Sequence, residues 1–83
     1  MDISATQCRA ARALLEWTQA AAAEAAEINA RTVVDFESGK RAPYKGTLLL
    51  LRQAFEAAGI EFIPENGGGE GVRFRAPRSA REG

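Results

Sequence analysis

The chain has 83 residues, of which 46% are apolar and 27% charged, and its 11 basic and 11 acidic side chains cancel. This length predicts one domain near the lower size limit for independent folding, so oligomerisation would add stability. A single cysteine excludes an intramolecular disulfide, and no run of about 18 apolar residues is present to span a bilayer.

The first two helices are predicted from their capping residues. Ser4 and Gln7 in "SATQ" fit a capping box, which predicts a helix over residues 5–16. Thr18 is placed to cap the next segment, whose "AAAEAA" run has high intrinsic helix propensity. A second helix is therefore predicted from Gln19 to Ala26.

A third helix is predicted after a turn of three or four residues. Asn29 is a strong N-cap, and Gly39 is placed to end the helix after Ser38. Two short helices joined by such a turn form a helix-turn-helix.

The rest of the chain predicts one more helix and a hairpin. Thr47 is expected to cap a fourth helix over residues 48–58, and Gly59 suits the position after a helix end. The apolar period then changes from 3.6 to 2 in two short runs around "ENGGGEG", which predicts a hairpin over 60–75. Residues 76–83 are expected to be disordered. The predicted fold is mainly α, with a four-helix domain at 1–59 and a short C-terminal β-hairpin.

The segment "WTQAAAEAAEINARTVVDFESGKRAP" resembles the helix-turn-helix of the lambda-repressor-like, Cro/C1-type (XRE) family of bacterial and phage regulators. The matching features are "TQ" opening the second helix, Ala23 within it, an apolar residue and an N-cap before the third, and "FESGK" with a proline three residues on. With the first and fourth helices the likeness covers residues 5–58. It implies a sequence-specific, double-stranded-DNA-binding transcription regulator.

The resemblance also implies which side chains read the bases. The third helix would lie in the major groove, with the side opposite its core face toward the base edges. Arg31 suits guanine, while Ala30 and Val34 offer apolar contacts for thymine methyl groups. Asp35 could accept from cytosine or could hold Arg31 in place one turn away.

Contacts with the DNA backbone are implied for the start of the second helix and for the basic loop after the third. Gln19 matches the family's phosphate-contacting glutamine. Asn29 could reach a phosphate or act only as a cap, the loop cations could form a solvated turn, and Tyr44 could pack beneath the loop. The full set expected at the backbone is Thr18, Gln19, Asn29, Lys40, Arg41, Tyr44 and Lys45.

Arg12 and Glu37 fall at the positions of an ion pair that joins the first and third helices in the family. The resemblance therefore assigns them a structural role. Replacing Arg12 with alanine is expected to weaken folding through the stranded partner more than through lost DNA contact.

Two positions depart from the family pattern, and both concern packing. Ala22 stands where leucine is usual, so Trp17 or Phe36 is expected to fill the space. Glu27 stands where glycine is usual, in a turn that calls for positive φ, and glutamate adopts that geometry infrequently.

A homodimer on a two-fold related operator is expected, because one module makes too few contacts for specificity at cellular salt. The apolar turn at 48–51 is a predicted contact surface, and the hairpin is expected either to pack on the fourth helix or to extend a sheet across the dimer. The alternative function is a protein-interaction module, such as an anti-activator or antitoxin-like partner, favoured by the neutral net charge and the hairpin edge. The residues expected at the dimer interface are Leu49, Leu50, Phe62, Val72 and Phe74.

Enzymatic chemistry is not expected. The chain has no histidine to activate Cys8, which is expected to be a small buried hydrophobe, and "GGGEG" lacks the lysine of a phosphate loop. No catalytic residue, cofactor or metal site is predicted.

Without a charged-then-apolar leader, the cytoplasm is the expected compartment, with the protein at the nucleoid when bound to DNA. Arg73 and Arg75 share one side of the second strand and could track a phosphate backbone or a groove, or form a charged edge that blocks sheet pairing. No role is predicted for Arg78 and Arg81 in the tail.

Overall fold

Four helices are followed by one antiparallel hairpin. The protein was analysed as a computed structural model, in which residues 2–76 are described. The predicted mainly helical fold with a C-terminal hairpin is confirmed. Most of the predicted tail, with Arg78 and Arg81, lies outside the described residues. The elements in chain order are α1 (Ala5–Leu15), α2 (Gln19–Ala26), α3 (Ala30–Ser38), α4 (Lys45–Ala57), β1 (Ile60–Ile63) and β2 (Gly71–Phe74).

The first three helices begin at the predicted caps. Ser4 Oγ accepts from the Gln7 N–H at 3.1 Å while Gln7 Oε1 accepts from the Ser4 N–H at 3.0 Å, which completes the capping box. Thr18 Oγ1 accepts from the Ala21 N–H at 3.0 Å, and Asn29 caps α3. These bonds satisfy amide groups that have no acceptor within the helix.

The fourth helix begins three residues earlier than predicted. Its N-cap is Tyr44, with extended backbone and no side-chain bond, and the Leu48 N–H donates to the Tyr44 carbonyl at 3.0 Å. Thr47 is therefore inside the helix, and the prediction that it caps the helix is wrong. Gly46 lies in the first turn of the helix. The helix ends at Ala57, and Gly59 follows with φ of 103°.

One hydrophobic core joins the helices and the hairpin. Phe55 lies at its centre, fully buried, with Trp17 stacked on it at 5.7 Å between ring centroids and Phe62 edge-on at 6.0 Å. Ala22 has no exposed surface and belongs to the cluster against which Trp17 packs. Ala22 is therefore fully covered by the core although it stands where the family pattern has leucine.

The hairpin packs on the helices of its own chain. β1 contacts α4 and β2 contacts α1, with Ile60 opposite Phe74 and Phe62 opposite Val72. Phe62 is only 8% exposed and lies in the core. The prediction that Phe62 forms a dimer interface is therefore wrong, because the chain itself covers that side chain. Val72 and Phe74 are half-buried against the same core.

Gln7 fastens the hairpin to the start of α1. Its Nε2 donates to the carbonyl oxygens of Ile63 and Gly71, both at 3.1 Å, and the side chain is almost fully buried. Ile63 and Gly71 are partners in the sheet. Ser4 Oγ also donates to Glu70 in the hairpin loop. The amide of one capping residue therefore holds both strands.

None of the helices described is long and apolar enough to cross a membrane.

Candidate nucleic-acid interface

The helix-turn-helix consists of α2, a short turn and α3. Glu27 ends α2 with φ of 57° and ψ of 44°, the left-handed geometry for which glycine is favoured. Asn29 Oδ1 then accepts from the Arg31 N–H at 2.7 Å and starts α3. Helices α2 and α3 pack directly against each other, and α1 also packs on α3. One outward side of α3 is left uncovered.

The two sides of α3 differ sharply in exposure. Val33 is fully buried, and Phe36 and Glu37 are less than one tenth exposed. Ala30, Arg31 and Val34 are exposed on the opposite side. Three of the four side chains predicted to read bases therefore share one exposed face of one helix.

Glu37 sits at the centre of a buried hydrogen-bond network. Its carboxylate accepts from Arg12 Nε and Nη2, both at 2.7 Å, from Gln19 Nε2 at 3.0 Å and from Cys8 Sγ at 3.1 Å. Burial alone would raise the pKa of Glu37, but the hydrogen bonds from Arg12, Cys8 and Gln19 outweigh it and lower that pKa. The ion pair that the resemblance implied between Arg12 and Glu37 is present in the structure.

Contact with Glu37 also shifts the pKa values of its partners. The hydrogen bond to Glu37 raises the pKa of Arg12, and burial followed by the contact with Glu37 raises the pKa of the Cys8 thiol. Cys8 is thus a buried, protonated donor. Arg9 Nη1 donates to the Glu37 carbonyl oxygen at 2.5 Å, a contact that sequence reasoning missed. Side chains of α1 and α2 together fix the C-terminal half of α3.

Arg31 and Asp35 form an ion pair along the exposed side of α3. Arg31 Nε donates to Asp35 Oδ1 at 3.2 Å, one helical turn away. The Arg31 side chain is 70% exposed, whereas that of Asp35 is 19% exposed. Both residues were predicted to contact bases, but the Arg31 side chain is far more exposed to solvent than the Asp35 side chain.

The residues predicted at the DNA backbone fall into two groups, of which the first flanks α2 and α3. Thr18 and Asn29 are exposed and both act as caps. Gln19 is half-buried, and one amide hydrogen points to Glu37. Because a glutamine amide has two hydrogens, the other is available to an acceptor such as a phosphate.

The second group is the loop between α3 and α4. Lys40, Arg41, Tyr44 and Lys45 are all exposed. Tyr44 is 88% exposed, which excludes the alternative that it packs beneath the loop. The N–H groups of Lys40 and Arg41 donate to the Asp35 carbonyl oxygen at 2.9 and 3.3 Å, so the loop is fastened to the end of α3.

Two further residues of α3 lie beside the predicted set. Thr32 lines a surface cavity of about 250 Å³ between α3 and the loop, and Ser38 is exposed at the helix end. The signal that could have found Thr32 is its position one residue after Arg31, on the side of α3 facing the loop. The cavity is lined by Asn29, Arg31, Thr32, Asp35, Arg41 and Pro43.

The described C-terminal arginines already have partners in the chain. Arg73 Nε donates to Glu61 Oε1 across the hairpin at 3.0 Å, and this hydrogen bond lowers the pKa of Glu61. Arg75 Nη2 donates to the Glu56 carbonyl oxygen at 3.0 Å. Across residues 2–76 no cluster of Cys, Asp and Glu side chains is arranged to hold a metal ion.

Comparison with known proteins agrees with this geometry. A family model described as helix-turn-helix, of Cro/C1 type, matches residues 9–60, which run from α1 to the first residue of β1. No curated protein sequence matches the chain. The match covers well over half of the chain and includes the whole of α2, the turn and α3. The chain therefore belongs to the Cro/C1-type (XRE) helix-turn-helix family of DNA-binding transcription regulators.

Proposed function

We propose that the protein is a sequence-specific regulator that binds double-stranded DNA as a homodimer, with α3 in the major groove. The observation that carries the proposal is the division of α3 into a buried side and an exposed side. Val33 and Glu37 anchor the helix, while Ala30, Arg31 and Val34 are exposed on the surface. A single helix fits the width of the major groove, where base edges can be distinguished.

The local charge around α3 suits DNA although the net charge of the chain is zero. Lys40, Arg41 and Lys45 are exposed in the loop after α3, and no acidic residue occurs between Lys40 and Arg52. The acids of α3 are neutralised within the protein, since Glu37 binds Arg12 and Asp35 binds Arg31. The surface beside the reading face is therefore basic, as phosphate contacts require.

One side of α4 supports the proposed dimer. Leu49 and Leu50 are 49% and 47% exposed, and Gly46, Gln53 and Ala57 are exposed at helical spacing beside them. These five positions form a stripe that we call the α4 stripe, and it contains no charged residue. A two-fold contact places the same patch on both subunits, so an uncharged stripe can meet its copy without charge repulsion. Two modules would then read half-sites roughly 34 Å apart.

Selection from random double-stranded DNA at near-physiological salt tests the proposal. The expected result is a preferred sequence with two-fold related half-sites, protected in footprinting by the purified protein. Arg31→Ala should remove the preference at one base position of each half-site, whereas Arg73→Ala on the hairpin is the matched control and should retain it. Failure of the wild type to prefer any sequence over competitor DNA would refute the proposal.

A protein-interaction module on the same fold is the second candidate, and the exposed leucines of the α4 stripe favour it. The two functions differ in their response to salt. DNA binding should weaken steeply as salt rises because counterions are released on binding. Purification with one stoichiometric protein partner, together with DNA affinity that does not depend on salt, would instead favour the interaction module.

A further inference from the structure

The ion pair between Arg31 and Asp35 determines which atoms of Arg31 remain for DNA. Asp35 Oδ1 accepts from Nε at 3.2 Å. Within residues 2–76, no hydrogen bond involves the terminal nitrogens Nη1 and Nη2 of Arg31. A guanidinium can present a pair of donors either from Nε with one terminal nitrogen or from the two terminal nitrogens. In this structure only the pair formed by Nη1 and Nη2 is free, because Nε already donates to Asp35.

We infer that Asp35 is a positioning residue that holds Arg31 by Nε, so that its two terminal nitrogens select a guanine and Asp35 itself reads no base. The inference rests on the proposed function and deepens it by naming the base. Guanine is the partner because its O6 and N7 are adjacent acceptors in the major groove, which match two parallel N–H donors.

Exposure separates the two roles. The Arg31 side chain is 70% exposed and can extend toward a base edge, whereas the Asp35 side chain is 19% exposed. Asp35 lies at the cavity between α3 and the loop, where Arg41 and Pro43 also contribute to the lining. A carboxylate that is mostly covered and already accepts from Arg31 is poorly placed to accept from cytosine.

The backbone at Asp35 makes its position rigid. Its carbonyl oxygen accepts from the Lys40 N–H at 2.9 Å, from the Arg41 N–H at 3.3 Å and from Ser38 Oγ at 3.2 Å. Its neighbour Phe36 is buried in the core. A side chain on such a fixed turn can hold a long, mobile arginine in one conformation, which reduces the ordering cost when DNA binds.

Two effects of removing Asp35 should have opposite signs. Asp35→Ala removes the acceptor for Arg31 Nε and one negative charge near the phosphates, so affinity for random DNA should rise and the salt slope should steepen by up to about 0.9. The preference for guanine should fall by about 2- to 12-fold, the factor that corresponds to ordering one long side chain. Loss of folding alone would lower both quantities together.

The experiment begins with the wild-type protein and its selected DNA sequence. The ratio of affinities for guanine and for the other bases at the Arg31 position should be about 5- to 150-fold. Replacing that guanine with 7-deazaguanine, which lacks the N7 acceptor, should bring this affinity ratio close to 1. The same ratio is then measured for Asp35→Ala, which removes the acceptor for Arg31 Nε, and for the matched control Asp2→Ala, which makes the same change before α1. Circular dichroism confirms that each variant is folded.

Arg31→Lys provides the second arm, because lysine keeps the charge but has no pair of fixed donors. If Asp35 acts through Arg31, Asp35→Ala should not change the guanine ratio further in the Arg31→Lys background.

The outcomes separate the inference from the proposed function. A wild type that prefers no sequence overturns both. If the wild type has a preferred sequence, the inference alone is overturned by any of three results. These are an Asp35→Ala protein that keeps the guanine ratio, an Asp35→Ala protein that alters a cytosine preference instead, and an Asp2→Ala protein with the same effect as Asp35→Ala.

Discussion

Arg12 and Glu37 form a paired contact that joins α1 to α3 through two hydrogen bonds of 2.7 Å, while the Glu37 side chain is only 3% exposed. Because Glu37 is buried and charged, removal of its cation leaves a carboxylate without its main partner. We expect Arg12→Ala to lower the free energy of unfolding by about 3 kcal/mol, the low end for a broken buried pair, since Arg12 is itself 21% exposed. Chemical denaturation monitored by circular dichroism measures the change.

The matched control for that substitution is Arg31→Ala, which also breaks an ion pair with an acidic partner. Arg31 is 70% exposed, and exposed pairs one helical turn apart contribute only about 0.3–0.5 kcal/mol. If the two substitutions lowered the free energy of unfolding equally, the burial of Glu37 would not make the loss of its cation more costly.

Acid should weaken the fold through Glu37. The hydrogen bonds of the folded state outweigh the effect of burial and hold the pKa of Glu37 below the ordinary glutamate value of 4.5. Its ionised form therefore stabilises the fold above pH 4.5, and this contribution is lost as the pH falls through the folded-state pKa. The difference in stability between the wild type and Glu37→Gln should shrink over that interval, as measured by denaturation from pH 6 to about pH 3.

Glu61→Gln is the comparison for the acid experiment. The Arg73 hydrogen bond also lowers the pKa of Glu61, but this pair lies on the surface. We expect a smaller pH-dependent difference for Glu61→Gln, which added salt should reduce further. A larger one would mean that the hairpin pair, rather than the Glu37 network, governs acid stability.

The Gln7 side chain allows its two roles to be tested separately. Gln7→Glu keeps an oxygen that can accept from the Ser4 N–H but replaces the donor to Ile63 and Gly71 with a carboxylate facing two carbonyl oxygens. Loss of a buried donor and the new repulsion should cost about 1–3 kcal/mol. Hydrogen exchange should show faster opening of the hairpin amides, with the first turn of α1 still protected.

Ser4→Ala serves as the control for the cap. It removes the Ser4 Oγ acceptor for the Gln7 N–H, and also the Ser4 Oγ donor to Glu70 in the hairpin loop, and should cost about 1 kcal/mol. The first turn of α1 should exchange faster, while the strand amides stay protected because Gln7 still holds both strands. Identical exchange patterns in Ser4→Ala and Gln7→Glu would contradict a separate role for Gln7 in holding the strands.

Helix boundaries could be predicted where a side chain bonds to backbone two or three residues away. Ser4, Thr18 and Asn29 all make such bonds, and the helices begin beside them. Thr47 misled the prediction because a capping side chain is not required: extended backbone at Tyr44 starts the helix without one. Local sequence therefore indicated that α4 exists but did not determine its first residue.

Contacts between distant parts of the chain could not be predicted in the same way. Gln7 meets Ile63 across 56 residues, which no local pattern indicates. The alternation in β1 correctly predicted that Phe62 lies on the opposite face of the strand from Glu61 and Ile63. A period of 2 does not say, however, whether the apolar face meets its own core or a second subunit. The pair of Arg12 with Glu37 was expected from the family resemblance alone. At the site, exposure and atom-level contacts are what distinguish Arg31 from Asp35.

The turn between α2 and α3 carries backbone strain that can be relieved. Glu27 has φ of 57°, and left-handed geometry costs a residue with a side chain about 1–2 kcal/mol. Glu27→Gly should remove that cost while the unfolded chain gains entropy, so we expect a net stabilisation of about 0.5–1 kcal/mol. Thermal denaturation measures it. Glu24→Gly, the same change within α2, should instead destabilise by about 1 kcal/mol. Matching signs would show that the turn is not strained.

The α4 stripe should determine the oligomeric state. Leu50 is 47% exposed and lies near the middle of the stripe, so Leu50→Glu should place two like charges against each other across a two-fold contact. Sedimentation equilibrium should then show a monomer, while the circular dichroism spectrum stays that of the wild type because the side chain is not in the core. Ala13→Glu, an exposed apolar-to-acidic change on α1, is the matched control and should leave the dimer intact. If DNA binding requires the dimer, Leu50→Glu should also lose the two-fold footprint while keeping weak binding to a half-site. A Leu50→Glu protein that remains dimeric would place the subunit contact elsewhere on the molecule.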